Sequence, residues 1–410
     1  MKKVLSKLIA FFVRLWNSPI VVTLRKLMSE NIRQYGMILA LIGIMIFFAI
    51  TTGGISLKPL NISNLLLQNG HILILAVGML IVILTGNIDL SVGSVAAFVG
   101  AIAGIMMIKN DYPIIPSVFV ALSIGIAAGA WNGFWIAYIR IPAFIVTLGG
   151  MLIFRGLTLA VLGGVTLGPF PDAFNAISSG FLPDTLDFLN LEDFHLTTVI
   201  IGILFSLLYI VNVYFSRTKK QKYDFEVAPL WVTILSTSFI LFALNLFTFT
   251  LALYRGFPNI SIILFIVLAI YVFLTTKTVF GRHVYAMGGN YEAAKLSGVK
   301  TKFTMFMVYT NMGLLAAVSG LVYAARLNAA TPKAGNLFEL DAIAASFIGG
   351  ASASGGVGSV IGAVIGGLVM GVINNGMSIM SLGIDWQQVV KGLVLLLAVW
   401  FDIATKNKSK

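Results

Sequence analysis

Cysteine is absent from the 410-residue chain, so disulfides, zinc–thiolate sites and thiol redox chemistry are excluded. Its three histidines, His71, His195 and His283, stand far apart and form no metal-binding or catalytic-triad pattern. No Gly-Lys dipeptide occurs, so the chain also has no phosphate-binding P-loop. We therefore predict a protein that is not an enzyme, with no catalytic residues, no metal and no cofactor of its own.

Charged residues are also scarce: they make up 10% of the chain, whereas soluble proteins average about 25%. Hydrophobic residues make up 59%, and at roughly 20 residues per span the length allows about ten spans. The composition predicts an all-α integral membrane protein with about ten to eleven transmembrane helices, some of them broken or half-length. The net charge of +12 is then expected in the loops, with no nucleic-acid partner.

Eleven apolar segments follow one another along the chain. They are Met37–Thr51, Ile72–Thr85, Val95–Ile108, Ile115–Ile139, Phe144–Leu162, Leu196–Phe215, Val227–Tyr254, Ile260–Thr275, Met305–Ala325, Val357–Ile373 and Val389–Phe401. Lys58–His71 is predicted to be a polar connection, and Ala342–Ile348 is too short to cross. We divide the chain into a basic N-terminal segment (1–35), a polytopic domain (36–402) with a polar loop at 276–302, and a basic tail (403–410). Leu8–Trp16 is predicted to lie flat on the membrane surface.

The distribution of basic residues predicts the orientation. If both termini are cytoplasmic, twenty of the 27 basic residues lie inside, as the positive-inside rule requires. The loop 276–302 is then cytoplasmic, and Thr166–His195, with five acidic and no Lys or Arg residues, lies outside. Because eleven full crossings would leave the C-terminus outside, we predict that Val357–Ile373 is re-entrant.

The stretch 288–298 is short and polar within an otherwise apolar chain. Asn290 is suited to cap a helix N-terminus, and Glu292 places a negative charge in the first turn, where the helix dipole favours it. The glycine that ends the stretch can adopt the left-handed conformation, and the two that begin it allow a sharp turn. Ala293–Ala294 forms a small face. We predict a two-turn cytoplasmic helix whose small face docks into a cleft of a partner protein.

A faint internal repeat points to a transport path. Val92–Val95 recurs as Val357–Val360, and each copy follows a polar break. Repeats with interrupted hydrophobic segments are typical of transporters, whose path lies at the breaks. The alternative is a chance similarity between glycine-rich spans.

Polar side chains within the apolar segments are the candidates for lining such a path. Asp89 either faces the path or caps a helix that begins at Leu90. Arg155 either faces the path or serves as a structural or snorkelling cation. The asparagines either bind a hydroxylated solute or join helices by hydrogen bonds; they are Asn87, Asn132, Asn311, Asn374 and Asn375.

Six motifs together resemble the monosaccharide permeases of bacterial ATP-binding-cassette importers. They are Leu75–Met79, Ile88–Ser94, Pro142–Leu148, Phe154–Gly156, Gly288–Gly298 and Gly355–Ser359. Further stretches are similar to the xylose permeases within that family: Val227–Tyr254, Gly129–Gly133, Asn374–Ser378, Val389–Gly392 and Trp400–Asp402. The resemblance extends from the first apolar segment to the tail, whereas the N-terminal segment has no counterpart.

The resemblance implies a multi-pass permease subunit that carries a monosaccharide, first of all D-xylose, across the bacterial cytoplasmic (inner) membrane. Its implied partners are a cytoplasmic ATPase dimer that binds ATP and Mg, an extracytoplasmic sugar-binding protein, a second permease copy and membrane lipid. The family's ATPase-coupling element falls on Gly289, Asn290, Glu292, Ala293, Ala294, Ser297 and Gly298.

Two other functions stay open from the residues themselves. An ion-coupled secondary sugar transporter would need a buried acidic residue in mid-span, for which Asp89 is the candidate. A membrane receptor or scaffold would not need broken polar spans.

Overall fold

The computed structural model describes residues 32–184, 194–225 and 227–407. In these ranges the chain is helical, with two isolated β-bridges and no longer strand. The helices are α1 (Ile32–Thr51), α2 (Pro59–Leu84), α3 (Val92–Gly104, continued by a π-turn Ile105–Lys109), α4 (Ile114–Ala137), α5 (Ala143–Leu162), α6 (Asp172–Ser179), α7 (Leu196–Lys222), α8 (Leu230–Ala252), α9 (Asn259–Lys277), α10 (Val279–Gly289), α11 (Tyr291–Leu296), α12 (Thr301–Leu327), α13 (Phe338–Ile348), α14 (Val360–Ile379) and α15 (Ile384–Asn407). The predicted surface helix Leu8–Trp16 lies outside the described residues.

The all-α membrane class is confirmed. Ten helices in the described ranges are long and apolar enough to cross a membrane, and α1 adds a shorter apolar stretch, Gly36–Thr51. Their number agrees with the prediction of ten to eleven spans.

Helix α2 is the centre of the bundle. Every residue from Ile72 to Leu84 is buried, and the helix packs against α9, α12, α13 and α14. The predicted polar connection Lys58–His71 is wrong, because α2 begins at Pro59, where proline suits the first helical turn. One polar group of this stretch pairs with another helix: the carbonyl of His71 accepts a hydrogen bond from Ser319 Oγ at 2.9 Å.

Small residues allow α4 and α12 to approach closely. Gly125 and Gly129 on α4 lie directly against Gly313 on α12, so that a side chain on any of the three would overlap backbone atoms of the opposite helix. Lipid tails are as apolar as the helix surfaces, so the hydrophobic effect does not drive membrane helices together. Close van der Waals packing of this kind holds them together instead.

Helices α7 and α8 form a peripheral pair. Gly202 packs on Thr248, and Asn245 Nδ2 donates a hydrogen bond to Ser206 Oγ at 2.8 Å. Most of their remaining apolar side chains are exposed. This pair contains the additional span, Val227–Tyr254, that the sequence indicated.

Helix α13 corrects the predicted topology. The re-entrant assignment of Val357–Ile373 is wrong, because α14 has 20 residues and continues through the buried Asn375. The short element is α13, whose 11 residues span about 16 Å at the α-helical rise. It carries the chain back from the end of α12 to the end of α2 where α14 begins.

Both ends of the described chain lie on the same face of the bundle. The loop 349–359 between α13 and α14 contacts Met37 of α1 at Gly350, and Asp402 of α15 accepts a hydrogen bond from Ser352 Oγ at 3.0 Å. The assignment of this face to the cytoplasm remains the prediction made from charge.

The two copies of the sequence repeat are not structurally equivalent. Val92–Val95 forms the first turn of α3, whereas Val357–Ser359 precedes α14, which begins only at Val360. What the two places share is a break in the helical backbone before each helix.

Replacing Gly313 by Ala tests the α4–α12 contact. The added methyl group would overlap the backbone of Gly125 and Gly129, and we expect destabilisation of about 1–3 kcal/mol, as for other overpacked cores. The measurement is thermal unfolding in detergent, followed by tryptophan fluorescence. Gly43→Ala on the exposed side of α1, where nothing lies within 4 Å, is the matched control and should not lower the melting temperature. Equal melting temperatures for the two variants would contradict the packing account.

Candidate functional site

The polar loop at 276–302 forms two short helices, α10 and α11, that meet at Asn290. Its side-chain oxygen Oδ1 accepts a hydrogen bond from the Ala293 N–H at 2.9 Å, which is the predicted N-cap. Glu292 lies in the first turn of α11, and Gly298 follows the helix in the left-handed conformation with φ of 85°. The sequence therefore predicted the local geometry of α11 correctly.

Two details of that prediction are wrong. Gly288 and Gly289 do not form a sharp turn, because they are the last residues of α10 and neither has a positive φ. Ala293 and Ala294 do not share a free face, because Ala294 is 5% exposed and packs into the core while Ala293 is exposed. The surface that α11 presents also includes Leu296, which is 88% exposed.

A groove of about 470 Å³ lies beside α11. Tyr138 and the turn after α4 form one wall, and α11 and the start of α12 form the other. Its charged side chains are Arg140, Glu292, Lys295, Lys300 and Lys302. The Glu292–Lys295 pair, at 3.8 Å between Oε2 and Nζ, is more than half exposed and adds little stability. The groove thus offers an excess of positive charge to a partner.

A buried polar cluster lies where α3 begins. Asp89 is 2% exposed, and its Oδ1 accepts hydrogen bonds from the N–H and Oγ of Ser91 at 2.8 and 2.6 Å. Asn132 of α4 donates from Nδ2 to Ser91 Oγ at 2.9 Å. Because α3 begins at Val92, Asp89 does not cap a helix at Leu90; it holds Ser91 in place instead. Ser91 was missed because nothing local marks it as the link between Asp89 and Asn132.

The remaining path candidates are dispersed. Asn87, two residues before Asp89, donates from Nδ2 to Thr85 Oγ1 at 3.1 Å. Arg155 on α5 donates to the carbonyl oxygen of Gly335 at 3.5 Å. The seven predicted path residues therefore do not form one site. Asn87, Asp89 and Asn132 lie near the start of α3, and Arg155 reaches it through Gly335, whose backbone packs on Gly93.

Three asparagines lie elsewhere. Asn311 on α12 accepts a hydrogen bond from the Tyr271 hydroxyl of α9. Asn374 and Asn375 lie on α14, and Asn375 borders an apolar cavity of about 350 Å³ between α1, α2, α8, α9 and α14. Both places are separate from the cluster around Asp89.

Sequence reasoning also missed an intramembrane ion pair. Lys391 Nζ of α15 lies 2.9 Å from Asp341 Oδ2 of α13, with both side chains largely buried. The two residues are 50 positions apart, so their spacing gives no sign of the contact. No group of three or more possible metal ligands occurs among the residues that the structure describes.

A family model described as the permease component of a branched-chain amino acid transport system matches residues 61–399. The chain belongs to this permease family. The xylose transport system permease protein XylH of Escherichia coli K12 is 42% identical over 387 residues, covering 93% of this chain and 95% of that protein. XylH of Haemophilus influenzae is 40% identical over 93% of this chain and 99% of that protein.

A ribose permease is a more distant relative. The ribose import permease protein RbsC of Bacillus subtilis is 33% identical over 346 residues, covering 84% of this chain and 85% of that protein. No solved structure matches the chain. The resemblance drawn from the sequence motifs is confirmed, and with ten apolar helices the chain is a multi-pass permease of the bacterial inner membrane.

Variants of Asp89 separate a hydrogen-bonding role from a role of its charge. Asp89→Ala leaves the N–H and hydroxyl of Ser91 without their acceptor, and we expect destabilisation of about 1–3 kcal/mol. Asp89→Asn keeps a carbonyl oxygen as acceptor and should retain both stability and transport. Thermal unfolding and uptake into vesicles are the measurements. A folded Asp89→Asn protein that no longer transports would show that the charge itself is needed.

Proposed function

We propose that this chain is the permease subunit of an ATP-binding-cassette importer for a monosaccharide, with D-xylose as the first substrate to test. The observation that carries this proposal is the identity of 40–42% to two proteins named as xylose permeases, over nearly the full length of both chains. The family model is described by branched-chain amino acids, but the relatives with the highest identity among those reported are named for sugars.

The energy for transport would come from ATP hydrolysis in another subunit. The sequence holds no Gly-Lys dipeptide and hence no P-loop, so ATP and Mg would be bound by a cytoplasmic ATPase dimer. The coupling residues would be Gly289, Asn290, Glu292, Ala293, Ala294, Ser297 and Gly298. Ala293 and Glu292 lie on the exposed side of α11 and would contact the ATPase, whereas Ala294 would fix α11 to the bundle.

The groove beside α11 indicates what kind of partner surface fits. Arg140, Lys295, Lys300 and Lys302 give it positive charge with Glu292 as the one acidic side chain lining it. A partner surface with acidic residues would complement it and increase the association rate.

A second copy of the chain would complete the path. Helix α5 exposes a broad apolar face that includes Phe144, Leu152 and Leu157, and nothing lies within 4 Å of Gly149 and Gly156. The opposite side of α5 meets the buried cluster, where Gly150 packs on Asn132. A pair of permeases joined through α5 would place two such clusters on either side of one path, and lipid would cover the rest.

Transport would follow from alternation between two states. A ligand shifts a conformational equilibrium only through its differential affinity for the two states. The nucleotide cycle of the ATPase would supply that difference at α11, and an extracytoplasmic binding protein would deliver the sugar. Weak contacts to the sugar inside the permease suit this scheme, because a tight site would retard release.

Reconstitution identifies the substrate and the source of energy. The permease, its ATPase and a sugar-binding protein are incorporated into vesicles, and ATP hydrolysis and sugar uptake are measured for xylose, ribose and glucose. We expect xylose with its binding protein to stimulate ATP hydrolysis most. Uptake by the permease without an ATPase on a proton or sodium gradient would support the ion-coupled alternative instead.

Variants of α11 test the coupling role. Glu292→Ala removes the acidic group of the groove, and Gly298→Val forces a branched residue into a left-handed backbone at a cost of about 1–2 kcal/mol. We expect both to lower ATP-driven uptake while the protein still reaches the membrane.

Gly53→Val is the matched control for Gly298→Val. Gly53 follows α1 in the same left-handed conformation, with φ of 60° and nothing within 4 Å of an added Cβ. Because this end of α1 is the one remote from Met37 and the face of α11, the control should keep its uptake. Normal uptake by both α11 variants would reject the coupling role, and equal losses in Gly298→Val and its control would assign the effect to backbone strain.

A further inference from the structure

The two breaks in the helical backbone meet at one point. The N–H of Gly356, in the loop before α14, donates a hydrogen bond to the carbonyl oxygen of Leu84, the last residue of α2, at 2.9 Å. Gly86 and Gly355 both have left-handed backbones, with φ of 77° and 79°. A side chain on Gly355 would come within 2.9 Å of the Gly86 nitrogen, so the two segments touch through backbone atoms.

Helix α10 packs against this contact between the two breaks. A Cβ on Gly288 would overlap the carbonyl oxygen of Leu84 and the nitrogen of Gly356, so that α10 touches both breaks at once. Gly289, the next residue, also lies against the loop, because a Cβ on Gly356 would come within 2.9 Å of its nitrogen. We call Leu84, Gly86, Gly288, Gly355 and Gly356 the glycine junction.

A side-chain hydrogen bond provides a second contact between α10 and the loop before α14. The Tyr285 hydroxyl donates a hydrogen bond to the carbonyl oxygen of Gly358 at 2.8 Å. Burial raises the pKa of Tyr285 above its usual value, so the hydroxyl remains protonated and able to donate throughout the physiological range.

Each break leads directly to the beginning of a helix. The segment after Leu84 ends in the buried Asp89–Ser91 cluster, from which α3 starts. The loop after Gly356 ends at Ser359, whose Oγ accepts a hydrogen bond from the N–H of Gly362 and caps α14. A movement of the junction would therefore reach the starts of α3 and α14 together.

We propose that the glycine junction and Tyr285 transmit the displacement of α10 and α11 to α3 and α14 simultaneously. This inference rests on the proposed function, since the displacement is that imposed by the ATPase. The contacts are between backbones, which cannot rotate out of the way as side chains do, so α10 and the loop before α14 move as one body. Tyr285 and Gly288 are positioning residues in this scheme: they contact neither sugar nor nucleotide.

Three variants test the transmission in the reconstituted complex with its ATPase and binding protein. Gly288→Ala separates α10 from both breaks, and Gly43→Ala on the exposed side of α1, where an added Cβ meets nothing within 4 Å, is its control. Tyr285→Phe removes one hydrogen bond and no volume, so it keeps the packing if Gly288→Ala fails to fold. We expect Tyr285→Phe to lower binding-protein-stimulated ATP hydrolysis by about fivefold, the effect of one lost hydrogen bond, with unchanged ATPase binding and only a small fall in melting temperature. Gly43→Ala should behave as the native chain.

A distance measurement tests the same inference without a transported sugar. The chain has no cysteine, so spin labels can be attached to Arg282→Cys on α10 and Val357→Cys in the loop, both exposed positions. We expect one narrow distance distribution that is the same in nucleotide-free and ATP-trapped complexes, and a nucleotide-dependent distance when Tyr285→Phe is added.

The outcomes separate the two proposals. A native distance that changes with nucleotide, or full stimulation in both Tyr285→Phe and Gly288→Ala, would overturn the junction's role while the transporter itself remains active. A complex that binds no ATPase and takes up no sugar would reject the proposed function, and with it the proposed role of the glycine junction.

Discussion

The structure depends on how polar backbone groups are satisfied inside a membrane. A continuous helix pairs its own N–H and C=O groups, but a break exposes them, and hydrocarbon offers no partner. In this permease the break after α2 and the loop before α14 lie against each other, with Gly356 donating to Leu84. Further partners come from Tyr285 and from Asp402, which accepts from the Ala353 N–H. The two breaks therefore share one backbone hydrogen bond while their other groups pair locally, and the position of α10 follows from the space that glycine leaves.

Local patterns in the sequence predicted the parts of the site whose contacts are also local. The N-cap at Asn290 acts on a residue three positions away, and the left-handed Gly298 follows from the helix that it ends. The role of Gly288 could not be predicted in this way, because its neighbours Leu84 and Gly356 lie in distant parts of the chain. A glycine pair before a capped helix looks like a turn unless those neighbours are known.

The same distinction explains the errors in the span boundaries. Polar residues near Asn69 and Asn375 ended the predicted apolar segments, yet both lie inside buried helices. Asn69 donates from Nδ2 to Leu65 O at 2.8 Å within its own helix, so its polarity is compensated there. Polarity marks a loop only when the group must reach water, and these groups do not. The ion pair between Asp341 and Lys391 is a parallel case. Each side chain neutralises the charge of the other, and either one would be costly to bury alone.

The fold also reduces the question of orientation to a single choice. Loop 349–359 contacts α1 at Met37, α15 at Asp402 and α10 at Gly288, so both ends of the described chain and the coupling helix share one face. The opposite face carries α6, where the Phe170 N–H donates to Asn328 Oδ1 at 2.8 Å at the far end of α12. Among the described residues, Arg140, Lys295 and Lys300 lie beside α11 on the first face, and Asp172 begins α6 on the second. The positive-inside bias therefore acts on these elements together, and it places α11 towards an ATPase only if it also places α6 towards the binding protein.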